Sequence, residues 1–110
     1  MEGPVKGDVI VLEFPFSDLK SYKRRPSLII KVPKGEDIIV SQITGESYEN
    51  YVEILLRKED FKQGSLKRDS YIRIDKIASI EKSLIKYKTG SLKQEKFNEI
   101  IDKICFFLKN

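Results

Sequence analysis

The stretch Gly7 to Ile30, GDVIVLEFPFSDLKSYKRRPSLII, decides the fold, because it joins two apolar strand candidates through a basic loop. From Val9 to Phe16, alternation sends Ile10, Leu12, Phe14 and Phe16 to one face and Val9, Val11 and Glu13 to the other. Both faces are largely apolar, so the segment reads as a mostly buried strand. Pro15 confines it to an edge, a bulge or a strand end, since proline donates nothing to a ladder. Ser27 to Val32 repeats the pattern. Between the two, Ser17 to Arg25 is polar, and four of the six residues from Lys20 to Arg25 are cationic. Pro26 fixes the backbone where the second strand is expected to begin. A loop of this charge, with Tyr22 inside it, suits a phosphate chain.

Outward from this core, Pro33-Lys34-Gly35-Glu36 is a turn that predicts a hairpin into a third strand, Asp37 to Thr44. Tyr51 to Leu56 reads as a fourth strand, with Tyr51 in the core. Arg57 to Lys62 suggests one helical turn around Phe61, broken at Gly64. Ser70 to Ile74 and Ile77 to Glu81 read as two short strands, and Leu84 to Thr89 as another. Strands this short and regularly spaced predict a small barrel or a strongly bent sheet. The period then changes: Phe97, Ile100, Ile101, Ile104 and Leu108 fall at helical spacing, and Ser91 with Gln94 has the form of a capping box. A helix is expected over about residues 92–108. The class is mainly β with α (α+β), in a single domain over residues 1–110.

At 110 residues, the chain has room for one core and not two. It holds no apolar run long enough to span a membrane, and MEGPVKGD lacks the apolar centre of a secretory signal, so a cytoplasmic protein is expected. The only cysteine, Cys105, lies in an apolar run and reads as a buried thiol. Twenty-one basic against 17 acidic residues give a charge of +4, a mild bias toward anionic partners. The absence of histidine weighs more. It removes the commonest general acid-base group and the commonest zinc ligand, and one cysteine cannot replace them. Catalysis would have to draw on Arg, Lys, Thr, Ser, Tyr or carboxylates.

Arg24 and Arg25 stand where the loop meets the strand, where a planar guanidinium can be held against a phosphate; the alternative is a solvated loop. Ser41-Gln42-Ile43-Thr44 ends the third strand in polar groups before Gly45. Thr44 would project a hydroxyl from a fixed strand end, or serve only as a β-branched strand former. Lys67, Arg68 and Ser70 belong to a second basic loop that extends a phosphate track or is simply solvated. Tyr22, Tyr48 and Tyr51 would stack on bases if exposed.

Taken in order, Gly7-Asp8-Val9, Phe14-Pro15-Phe16, Asp18-Leu19, Lys23-Arg24-Arg25-Pro26 and Ser41-Gln42-Ile43-Thr44 resemble the MazF/PemK-type toxins of toxin–antitoxin pairs. Asp60-Phe61, Gly64, Leu66-Lys67 and Ser70 to Ile77 resemble the later part of the same family, so the likeness spans most of the chain. It departs at Gly64-Ser65, where the family often has two glycines, and at Ser21-Tyr22, where smaller residues are common.

The resemblance implies a small SH3-like barrel of the CcdB/PemK kind with a packed C-terminal helix. It also implies a homodimer, a cognate antitoxin, and an endoribonuclease that cuts single-stranded RNA with no cofactor or metal. Arg25 and Thr44 match the family's catalytic positions. Lys20, Tyr22, Lys23, Arg24, Lys67, Arg68 and Ser70 become RNA-binding candidates, and the antitoxin is expected to cover the loop from Lys20 to Arg25. Other readings are a non-catalytic RNA binder, a CcdB-like gyrase poison of the same fold, and a small interaction module.

Overall fold

The computed structural model describes residues 3–15 and 22–110 and, within them, every side chain except those at 14, 15, 22 and 23. The strands are β1 (Asp8–Pro15), β2 (Tyr22–Lys31), β3 (Asp37–Thr44), β4 (Glu53–Leu56), β5 (Phe61–Gly64), β6 (Ser70–Glu81) and β7 (Ile85–Leu92), followed by helix α1 (Gln94–Lys109). They form one antiparallel sheet in the order β4-β6-β3-β2-β1-β7-β5, bent into a half-barrel. The expected bent sheet with a C-terminal helix is therefore present.

The middle position of β1 explains its composition. Paired with β2 on one side and β7 on the other, it buries Val9, Ile10, Val11 and Leu12, and Pro15 falls at its end. Val9 joins Leu28, Ile43, Ile54, Leu56, Ile72 and Ile74 under Phe97, Ile100 and Ile104 of α1. On the other face Ile10 and Leu12 meet Ile29, Ile38 and Val40, with Leu84 and Ile85 folded against them. The sheet thus carries two apolar clusters where one core was expected, because β1 and β2 are apolar on both faces. Phe16 and the loop at 17–21 lie outside the described residues.

Several elements differ from the sequence reading. β2 begins at Tyr22, so Arg24, Arg25 and Pro26 lie within a strand and not in a loop before it. Pro26 is tolerated because β2 pairs only with β1 there; the ladder with β3 starts at Ser27↔Gln42. Ser70 to Glu81 is one strand, not two. Between the rungs Ser41↔Ile77 and Ile43↔Ile72, residues 73–76 bulge opposite Gln42, so the polar interruption bends the strand without ending it. The charged stretch after β4 forms a 3-10 turn, Lys58–Asp60, while Phe61 opens β5 and is buried. Gly64 does end that segment: its φ is +69°, and a Cβ would lie 2.7 Å from the Gly90 Cα.

The last helix starts later than expected. Lys93 occupies the N-cap without a side-chain bond, and Ser91 stays in β7 to donate its hydroxyl to Asp8 Oδ1 at 3.0 Å. The β1–β7 ladder, in which Asp8 faces Ser91, has claimed the residue that would have capped the helix. Phe97, Ile100 and Ile104 are buried as their spacing predicts, but Leu108 is 69% exposed. Cys105 is exposed, not buried: it lies about 100° around the helix from Ile104, turned off the packed face. Tyr51 is 82% exposed, since β4 begins at Glu53 and leaves it in the preceding turn.

Candidate functional site

The last rung between β2 and β3 is Ser27↔Gln42. Arg25 lies two residues before Ser27 and Thr44 two residues after Gln42, at the mouth where the strands part. Side chains alternate along a strand, so Arg25, Ser27, Gln42 and Thr44 share one face. It is the face away from α1, because the intervening Leu28 and Ile43 pack on the helix side. Arg25 is backed by its rung to Leu12 and is half-buried; Thr44 is backed by its rung to Tyr71 and is 9% exposed. Thr44 Oγ1 accepts a hydrogen bond from the Glu46 amide at 3.3 Å, which ties it to the turn through Gly45. Ser27 Oγ, 1% exposed, has no hydrogen-bond partner among the described residues.

The other candidates are spread more widely. Arg24 alternates to the opposite face from Arg25, where its Nε lies 3.6 Å from Glu13 in a cross-strand pair; Glu13 also receives Lys86 at 3.4 Å. Lys20 lies outside the described residues, and Tyr22 and Lys23 are placed only by their backbone in β2. Lys67 and Arg68 are exposed in the turn before β6, and Ser70, 5% exposed, donates to the Arg68 carbonyl at 3.1 Å. Tyr48 is 59% exposed, as stacking would need, whereas Tyr51 leans on Phe107 with ring centroids 6.2 Å apart.

The sequence reading missed a charged cluster in the β6 bulge. Arg73 grips Asp75 through two hydrogen bonds, its guanidinium lies 5.4 Å from the Tyr48 ring centre, and its cross-strand neighbour is Glu53. Glu53 in turn accepts from Ser47 Oγ at 3.0 Å and from the Tyr48 amide at 2.6 Å. The Arg73 hydrogen bonds hold the Asp75 carboxyl below its ordinary range, and Asp75 raises Arg73 in return. For Glu53 the desolvation, which works upward, is outweighed by the Tyr48 amide, the Ser47 hydroxyl, the Asn50 amide and the charge of Arg73, so the net shift is downward. Arg73 alternates with Ile72 and Ile74 of the helix-side cluster, which puts it on the Thr44 face. Arg and Asp two apart on a strand were a legible signal of such a pair.

Among the described residues, no group of three or more His, Cys, Asp or Glu is placed to hold a metal, and no helix is long and apolar enough to cross a membrane. The half-barrel and its chain order match a known class. The chain belongs to the PemK-like, MazF-like toxin family of type II toxin-antitoxin systems, which it matches over residues 5–108.

Solved structures share the fold at low sequence identity. An endoribonuclease in complex with its cognate antitoxin, from a mycobacterial species, is 17% identical, with 97% of this chain and 96% of that one covered at a TM-score of 0.76. A MazE-MazF structure from Deinococcus radiodurans is 16% identical, covering 99% and 98% at 0.80. The Mycobacterium tuberculosis toxin MazF-mt6 is 19% identical, covering 93% and 96% at 0.72. No curated protein matches the chain in sequence.

Proposed function

We propose that the protein is a sequence-selective endoribonuclease toxin that cuts single-stranded RNA without a metal. The observation that carries the reading is the placement of Arg25 and Thr44 on one face at the mouth between β2 and β3, in a chain of the toxin family. RNA supplies its own nucleophile: the 2′-OH attacks the adjacent phosphorus, the 5′-oxygen leaves, and the products are a 2′,3′-cyclic phosphate and a 5′-OH. Arg25 stabilises the charge that builds on the phosphorane and assists the departing oxygen, and Thr44 orients the phosphate or the 2′-OH. Neither is a base near neutrality, so acceleration comes from alignment and electrostatics.

Lys67 and Arg68 extend the cationic surface beside Thr44, and Lys20, Tyr22, Lys23 and Ser70 remain RNA-contact candidates. Arg24 belongs to the Glu13 face and contributes through that pair. By likeness to the antitoxin-bound relatives, the protein is silenced by a cognate antitoxin, which covers the basic segment from Lys20 to Arg25. On the family resemblance, it works in the cytoplasm as a homodimer.

The test is incubation of the purified protein with a long unstructured RNA in EDTA, with mapping of new 5′ ends. Cleavage that disappears in Arg25→Ala and Thr44→Ala is expected. Cuts that survive both substitutions would reject the site. Intact RNA together with inhibited DNA supercoiling would replace the reading with a gyrase poison.

A further inference from the structure

The Arg68 guanidinium lies against Gly45, in the space a side chain there would take. An alanine Cβ there would lie 2.8 Å from both Cζ and Nε of Arg68, and Nη2 would be nearer still. Gly45 is not among the glycines with positive φ, which are Gly7, Gly35 and Gly64, so its backbone would accept another residue, and a Cβ there would have to displace only the flexible end of Arg68. The backbone of Arg68 is tied down, since the nearly buried Ser70 hydroxyl donates to its carbonyl. Ser70 opens β6 one residue before Tyr71, the rung partner of Thr44. The Arg68 backbone is thus anchored, and its guanidinium lies against Gly45 beside the Thr44 strand end. It is nevertheless exposed, and among the described residues no carboxylate pairs with it.

An arginine on a surface ordinarily gives up considerable side-chain entropy when it grips a ligand, and one whose head already rests against backbone beside the site gives up less. We propose that Arg68, lodged over Gly45, is a positioning residue that grips the RNA phosphate neighbouring the one addressed by Arg25 and Thr44. The proposal rests on the ribonuclease reading. The neighbouring phosphate does not change charge during the reaction, so the grip is equal in ground and transition states. It lowers KM and leaves kcat alone.

The test measures binding of a fluorescent single-stranded RNA of mixed sequence to the Arg25→Ala protein over a range of salt. Adding Arg68→Ala is expected to weaken binding about 5-fold to 10-fold and to flatten the log-log salt dependence by about 0.7, the contribution of one phosphate on a single strand. Gly45→Ala keeps every charge but evicts the guanidinium, and is expected to weaken binding by a similar factor. The two changes together should be no worse than Arg68→Ala alone. In the Arg25-intact protein, Arg68→Gln should raise KM with kcat kept, and Arg68→Lys should recover part of the loss. Because Arg68 is exposed, Arg68→Gln also covers the case in which Gly45→Ala fails to fold. An unchanged salt slope in Arg68→Ala, or a folded Gly45→Ala protein that binds like its parent, overturns the proposal. If the wild-type protein leaves RNA whole, the ribonuclease reading fails, while the slope still reports on Arg68 separately.

Discussion

Arg73 and Asp75 are joined by two parallel hydrogen bonds, Nε to Oδ1 at 2.9 Å and Nη2 to Oδ2 at 2.8 Å, within the bulge of β6. Asp75 is therefore held ionised below the range of an unfolded carboxyl. Its stabilisation is complete above that ordinary range and is lost as pH falls through the depressed folded value. Asp75→Asn is expected to cost about 1 kcal/mol at pH 7, since the pair is partly screened by solvent, and to cost almost nothing in strong acid. Urea melts of both proteins from pH 7 down to pH 2 would show the two curves converging.

Ser27 carries a buried hydroxyl with no partner among the described residues. Such a group costs about 1 to 3 kcal/mol relative to an apolar replacement, so Ser27→Ala should raise stability by about 1 kcal/mol. Thermal melting is the check, and an unchanged or lower midpoint would show that the hydroxyl is satisfied in solution.

If the Arg25 and Thr44 site cuts RNA, each alanine substitution should lower the rate at least about 100-fold, the scale of removing one donor to a developing charge. Thr44→Ser should retain far more than Thr44→Val, because the hydroxyl is kept. With no histidine in the chain, the rate should show no bell centred between pH 6 and pH 8. Single-turnover cleavage at saturating protein, followed across that range, measures both.

Cys105 stands on the exposed side of α1. A maleimide should label the folded protein once per chain without denaturant. Labelling that waits for unfolding would mean that this side of the helix is covered in solution.

The sequence carried the strands well where apolar residues alternate between turn residues, as in β1 and in the Pro33 to Glu36 turn leading to β3. It misjudged places where pairing overrode local chemistry. The Arg-Arg-Pro segment looked like loop because proline and charge are loop signals, yet pairing to β1 alone accommodates both. Asp75-Lys76 looked like a break, yet a bulge absorbs it. Ser91 looked like a cap until β7 claimed it. Arg25 and Thr44 were singled out through motif resemblance, and strand pairing sets them on one face. The crowding of Arg68 against Gly45 was not legible, because no local pattern states which turn will lie over which strand end.

Arg25 and Thr44 are carried by different neighbours, Arg25 through its rung to β1 and Thr44 through its rung to β6, and no rung joins β2 to β3 beyond Ser27. The candidate centre therefore straddles a seam in the fabric of the sheet. A polyanion laid across it would act as a clasp on both sides of that seam. Occupancy should then announce itself as a higher melting point even in a variant that can no longer cut.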